Sequence, residues 1–224
     1  MTFTQLQNDS QLKTAIMDEL AWTASVDADR IDVAITDGAV TLSGDVRSYP
    51  EHEAALHAAM RVHGVVAVAD EMVVRHTSDM PDDSDLAREA ATVFDHLTVI
   101  LPRGSVQTSV HDHVITLSGV VTWQYQREAA QQAVTALPGV TGVHNMITLK
   151  PTVEVSGPDA KTRITAALVR DAQVNARRIH IDVTGSKIRL TGSVSSLAER
   201  RQAEHAAWFT PGVTNVTNEL SVAR

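Results

Sequence analysis

One five-residue phrase occurs three times in this chain, and it limits the fold more than any other feature. Val40-Thr41-Leu42-Ser43-Gly44 returns as Ile115-Thr116-Leu117-Ser118-Gly119 and as Ile188-Arg189-Leu190-Thr191-Gly192. A second glycine follows each copy after 20 residues: Gly64, Gly139 and Gly212. Valine comes next each time (Val65, Val140, Val213), and an apolar residue stands ten positions after the glycine (Val74, Leu149, Val222). The copies are 75 and then 73 residues apart. Solenoid units run about 20–50 residues, so each copy reads as a small domain of its own. A domain of about 65 residues buries only about 60% of its chain surface and is marginal alone, so the three units are expected to pack together. They span 9–76, 83–150 and 157–224. The stretches between, His76 to Asp83 and Lys150 to Pro158, are polar and carry proline or glycine, as linkers do.

Within a unit the apolar spacing changes in a fixed order. Leu12, Ile16 and Leu20 recur every four residues and predict a helix from Ser10 to Trp22, with Asp9 or Ser10 as N-cap. Its counterparts run from about Ser84 to Leu97 and from Asp159 to Val169, with Ile164 and Leu168 on the inward stripe. Period two follows: Ile31, Val33 and Ile35, a turn at Asp37-Gly38, then Val40 and Leu42. Asp-Gly between alternating apolar runs is a hairpin signal. The third unit repeats it through Gly185-Ser186, and the second more weakly through Val106, Val110, Ile115 and Leu117. Ser48-x-x-Glu51 and Ser196-x-x-Glu199 are capping boxes that open a second helix. Its inward face is small: Ala55, Ala58 and Ala59; Ala130, Ala133 and Val134; Ala203, Ala206 and Ala207. Gly64, Gly139 and Gly212 then stand where glycine ends a helix, and a short last strand, Met72 to Val74 in the first unit, closes it. The fold class is α+β: three tandem α-β-β-α-β sandwiches, each with two helices on a three-stranded mixed sheet.

The run Ile31-x-Val33-x-Ile35-x-Asp37-Gly38-x-Val40-x-Leu42-Ser43-Gly44, followed by Gly64-Val65-x-x-Val68, resembles the BON domain, named for bacterial osmotically induced and nodulation proteins. All three units share the resemblance. Asn145 and Asn218 match an asparagine that the family often has in this region, where the first unit has Asp70. The resemblance implies a role in osmotic stress, with binding of anionic phospholipid or protection of other proteins. It also offers an alternative, a small-ion or small-ligand sensor, since a related class binds a monovalent cation through backbone oxygens.

Catalytic chemistry finds no foothold. Gly38, Gly44, Gly64, Gly119, Gly139, Gly192 and Gly212 lack the strand–GxGxxG–helix or GxxxxGK[ST] setting of a phosphate loop and read as structural. His111-Asp112-His113 sits at a hairpin turn, and Glu53 with His57 is a helical pair, but neither shows a third ligand, so no metal and no cofactor are expected. No nucleophile elbow occurs, and paired carboxylates such as Asp82-Asp83 fall in linkers. Cysteine is absent, which leaves no disulfide framework. The opening residues lack the basic and apolar regions of a secretory signal, and no apolar run reaches a membrane span, so a cytoplasmic chain is expected.

Charge separates the third unit from the others. Residues 1–76 hold 5 Lys/Arg against 12 Asp/Glu, residues 77–156 hold 4 against 9, and residues 157–224 hold 10 against 6. Alternation turns Arg178, His180, Lys187 and Arg189 to one open sheet face with Arg177 at its rim. That cluster is the candidate contact for an anionic membrane surface, with client proteins as the other candidate partner. Nucleic acid is not expected, because the chain is acidic overall and no aromatics interleave with these cations. Trp123 is either a staple at the mouth of the second helix or a membrane-interface anchor, and Trp208 is expected partly in the core.

Overall fold

The computed structural model describes residues 3–75, 80–150, 157–170 and 178–223. The order helix, strand, strand, helix, strand runs through them three times. The first repeat has α1 (Phe3–Trp22), β1 (Ile31–Thr36), β2 (Ala39–Val46), α2 (Tyr49–Arg61) and β3 (Ala67–Val74). The second has α3 (Asp83–His96), β4 (Val106–His111), β5 (Val114–Val121), α4 (Gln124–Thr135) and β6 (Gly142–Leu149). The third has α5 (Gly157–Arg170), β7 (Ile179–Thr184), β8 (Lys187–Val194), α6 (Leu197–Trp208) and β9 (Asn215–Val222). In each sheet the middle strand pairs antiparallel with the strand before it and parallel with the strand after the helix. A two-residue turn makes the first pairing, and a helical crossover is what the second requires.

One apolar stripe and one apolar sheet face meet in each repeat. Ile16 and Leu20 of α1, Val40 and Leu42 of β2, and Ala55, Ala58 and Ala59 of α2 are buried together in the first core. The alanines let α2 lie close on the strands, and larger side chains there would overpack the layer. The glycine that ends the five-residue phrase lies inside the middle strand rather than at its end. Gly44, Gly119 and Gly192 stand opposite Ile31, Val106 and Ile179. All three have φ between +122° and +137°. A Cβ on any of them would collide with the carbonyl oxygen of Arg30, Ser105 or Arg178 respectively. Close backbone approach, in addition to φ, therefore demands glycine.

Three expectations need correction. Helix α1 starts at Phe3, so Asp9 is not its N-cap. Its carboxylate accepts instead from the amides of Asp37 and Gly38 at 3.0 and 3.2 Å, tying the first helix to the hairpin turn. Asp83, placed in a linker by the sequence, opens α3 and does the same for Asp112 and His113 at 3.0 and 2.9 Å. The closing strands have eight residues each, well beyond the three of Met72 to Val74.

Every repeat touches both others. Tyr49, at the start of α2, is buried in the second core, and Leu197, the equivalent residue of α6, packs on the first. His63 Nδ1 lies 2.7 Å from Ser195 O on the same seam. The equivalent residue of α4 is Gln124, which donates to Glu128 at 3.0 Å. There the contact with the third repeat is polar: Glu128 pairs with His205 at 3.5 Å, and Arg127 lies 5.9 Å over the Trp208 ring.

Candidate binding surfaces

Each repeat turns the second face of its sheet outward, and the three faces differ in charge. The first carries Asp32, Asp45 and Glu71. The second is free of Lys, Arg, Asp and Glu: β4 and β5 present Gln107, Ser109, Thr116 and Ser118, and β6 presents His144 and Met146. The third carries the expected cations. Arg178, His180, Lys187 and Arg189 are all exposed. Arg177 lies outside the described residues. Strand order adds what alternation could not supply. Asp182 is the cross-strand partner of Arg189, and β9 brings Glu219 to 3.6 Å from the same guanidinium. Both groups are about half exposed or more, so the pair is weak. No carboxylate pairs with Arg178 or Lys187 among the described residues. The face is thus a mixed one with its excess cations at the rim.

Beneath the sheets, a buried polar residue recurs at the third position of each second helix. Glu51 accepts from the amides of Asp27 and Arg47 at 2.9 and 2.8 Å. Gln126 accepts from Thr122 and Trp123 and donates to Ile100 O at 2.8 Å. Glu199 accepts from the Ser195 amide and hydroxyl at 2.5 and 2.6 Å. Ser48 and Ser196 cap the amides of Glu51 and Glu199, as the capping boxes predict. Trp123 holds the N-cap place without a side-chain cap bond, and Gln126 compensates from inside the helix.

A second polar contact joins the last strand to the same helix. The amides of Asn145 and Asn218 donate to Arg127 O and Arg200 O, each at 3.0 Å. They also donate to Gln131 and Glu204 side chains at 3.1 and 3.0 Å. In the first repeat Asp70 replaces the asparagine, and the helix residue facing it is His52, 2.8 Å away, where the other repeats have arginine. Glu53, with Asp70, raises the His52 imidazole above its ordinary 6.5 although burial opposes this. Asp70 is the nearer of the two carboxylates, since Glu53 stands at 3.8 Å. One turn on, burial and the Arg201 guanidinium of the third repeat hold His57 below 6.5. Burial and the Glu53 charge raise the Tyr49 phenol. Burial pushes Glu128 up, but His205 and Gln124 outweigh it and hold the carboxylate below its usual range. The Glu53 and His57 pair of the sequence is therefore part of a seam between repeats.

Asp83, His111 and Asp112 offer ligand atoms within 4.8 Å of one another. Asp83 is the third group that the sequence motif lacked. Both its oxygens already accept turn amides, and His111 and Asp112 are 90% and 88% exposed, so the three make no enclosed metal cage.

The profile of the BON domain matches residues 8–76, 82–151 and 157–224. The chain belongs to the BON domain family. Among curated proteins it is similar to the osmotically inducible protein Y of Escherichia coli strain K12. The two are 33% identical over 147 residues, which cover 63% of this chain and 72% of that one. Solved structures give weaker likenesses. The C-terminal domain of CdsD, a type III secretion structural protein of Chlamydia trachomatis, aligns at 14% identity and TM-score 0.27 over 94% of this chain and 96% of that one. The PrgH periplasmic domain aligns at 12% and TM-score 0.23 over 87% and 96%. Scores this low carry no argument about the present BON protein. The cytoplasmic expectation does not stand, because the likeness to the E. coli protein points to the periplasm instead. Among the described residues no helix is long and apolar enough to cross a membrane.

Proposed function

We propose that this BON protein is a non-catalytic, osmotic-stress-associated binding protein of the periplasm that contacts anionic membrane surfaces or client proteins. The stress role is supported by the family and by the osmotically inducible relative. The observation that carries the anionic surface is the third repeat's outward face, where Arg178, His180, Lys187 and Arg189 are exposed together. Basic side chains near an anionic bilayer gain about 1 kcal/mol each, and the attraction fades within a Debye length.

Sedimentation of the full chain with phosphatidylglycerol vesicles tests this. Binding at low salt is expected to weaken at least about tenfold in R178E/K187E/R189E and to fade in the parent as salt is raised. Binding that ignores both changes would remove the third repeat from the reading. Absence of vesicle binding at low salt would remove the membrane and leave client proteins.

A further inference from the structure

Three of the five Lys/Arg residues in the most acidic repeat sit at one end of its sheet. Arg30 precedes β1, Arg47 follows β2 and Arg75 follows β3. Because β1 runs against β2 while β3 runs with it, those three points coincide in space. Together they line a cleft of about 720 Å³ between the first and second repeats. Tyr49 and Pro50 of the first repeat and Leu137, Pro138 and Val140 of the second line it with them. The volume suits a small molecule, for which pockets of about 300–1,000 Å³ are usual.

The fold does not require arginine at these places. The equivalent positions are Ser105, Thr122 and Lys150 in the second repeat and Arg178, Ser195 and Ala223 in the third. Local pairing does not use the cations up either. Arg47 is held by Asp27 at 2.5 Å and Arg75 by Asp45 at 2.6 Å, yet their side chains stay 67% and 70% exposed. A guanidinium has five donors, and one carboxylate leaves several free. Arg30 is exposed and has no carboxylate partner among the described residues. The cleft therefore holds one uncompensated positive charge, two oriented guanidiniums and an apolar part of its lining.

The geometry points to a binding site for a small organic anion, a phosphoryl or carboxylate head joined to an apolar body. The arginine forks match the paired oxygens of such a head. The body lies along Tyr49, Leu137 and Pro138, where it leaves water. This site is distinct from the third repeat's face and does not depend on it.

Calorimetric titration of the full chain with octyl phosphate, kept below its micelle concentration at low salt, is expected to show one saturable site. Inorganic phosphate, which lacks the apolar body, is expected to bind at least about tenfold more weakly. R30Q/R47Q/R75Q is expected to lose the site. P138E, a change at an exposed position, leaves the arginines in place and is expected to weaken binding at least about tenfold through like charge. R178E/K187E/R189E is expected to bind octyl phosphate unchanged. The inference is overturned if octyl phosphate does not bind, if it binds equally well to R30Q/R47Q/R75Q and P138E, or if inorganic phosphate matches it. Displacement by phosphatidylglycerol vesicles would overturn the small-molecule assignment.

Discussion

In the second and third repeats an asparagine reaches from the last strand to the second helix, whereas the first repeat spans the same gap with Asp70 and His52. The asparagine amide has two acceptors on the helix: a backbone carbonyl and the side chain of Gln131 or Glu204. In the first repeat the residue corresponding to Gln131 and Glu204 is Leu56, which offers no acceptor. Asp70 instead sets a carboxylate 2.8 Å from the His52 ring and needs no acceptor from the helix. The strand side of the contact is common to all three, since Asp70, Asn145 and Asn218 each accept from the amide two residues on. A conserved geometry can thus be met by exchanging both partners at once. The exchange also brings an imidazole into the contact, held above its ordinary 6.5 by Glu53 and Asp70.

The strongest challenge to the equivalence of the repeats is the place where they do not differ. Gly44→Val, Gly119→Val and Gly192→Val each force a side chain into a carbonyl at positive φ. Each is expected to cost about 3 kcal/mol or more in chemical denaturation. A loss below about 1 kcal/mol at any one of them would show that its strands are not in the common register.

A smaller effect sharpens the contrast itself. D70N is expected to cost about 1 kcal/mol, because His52 loses its nearest carboxylate and the new amide lacks its second acceptor. The triple variant H52R/L56E/D70N, which copies the third repeat, is expected to regain most of that loss. If D70N alone is neutral, the pairing with His52 contributes nothing.

The smallest effect is read by NMR titration of two histidines on one helix. His52 is raised by Glu53 and Asp70, so its contribution is complete below 6.5 and is lost as pH rises through its folded value. His57 is depressed by burial and Arg201, so stability falls as pH drops below 6.5 toward its folded value. The two rings are expected to titrate on opposite sides of 6.5, and R201Q to move His57 upward without moving His52. A His57 ring that does not respond to R201Q would mean that the seam between the first and third repeats is not formed in solution.

Glycine offsets and apolar periods made the layers legible, because both are local consequences of chain geometry. Asp70 could be seen in the sequence as a departure, but its partner could not, since His52 lies 18 residues away on another element. Arg178, Lys187 and Arg189 were placed on one face by alternation. Glu219 was missed because its neighbourhood depends on β9 lying beside β8, and period two says nothing about which strand is next. Tyr49 carries no signal in the sequence, because burial in another repeat's core has no periodic signature. Asp9 and Asp83 were read as a helix cap and a linker charge, since a single carboxylate reaching a turn some 28 residues on leaves no local pattern.

Tyr49 and Leu197 have a consequence for how the molecule comes apart. Contact passes from the first repeat to the second, from the second to the third, and from the third back to the first. The array is closed, so it has no terminal unit to fray and needs no capping repeat of the kind that an open array requires. Opening one repeat breaks two junctions at once. The chain should therefore melt as a single cooperative body, although each of its parts has a separate core.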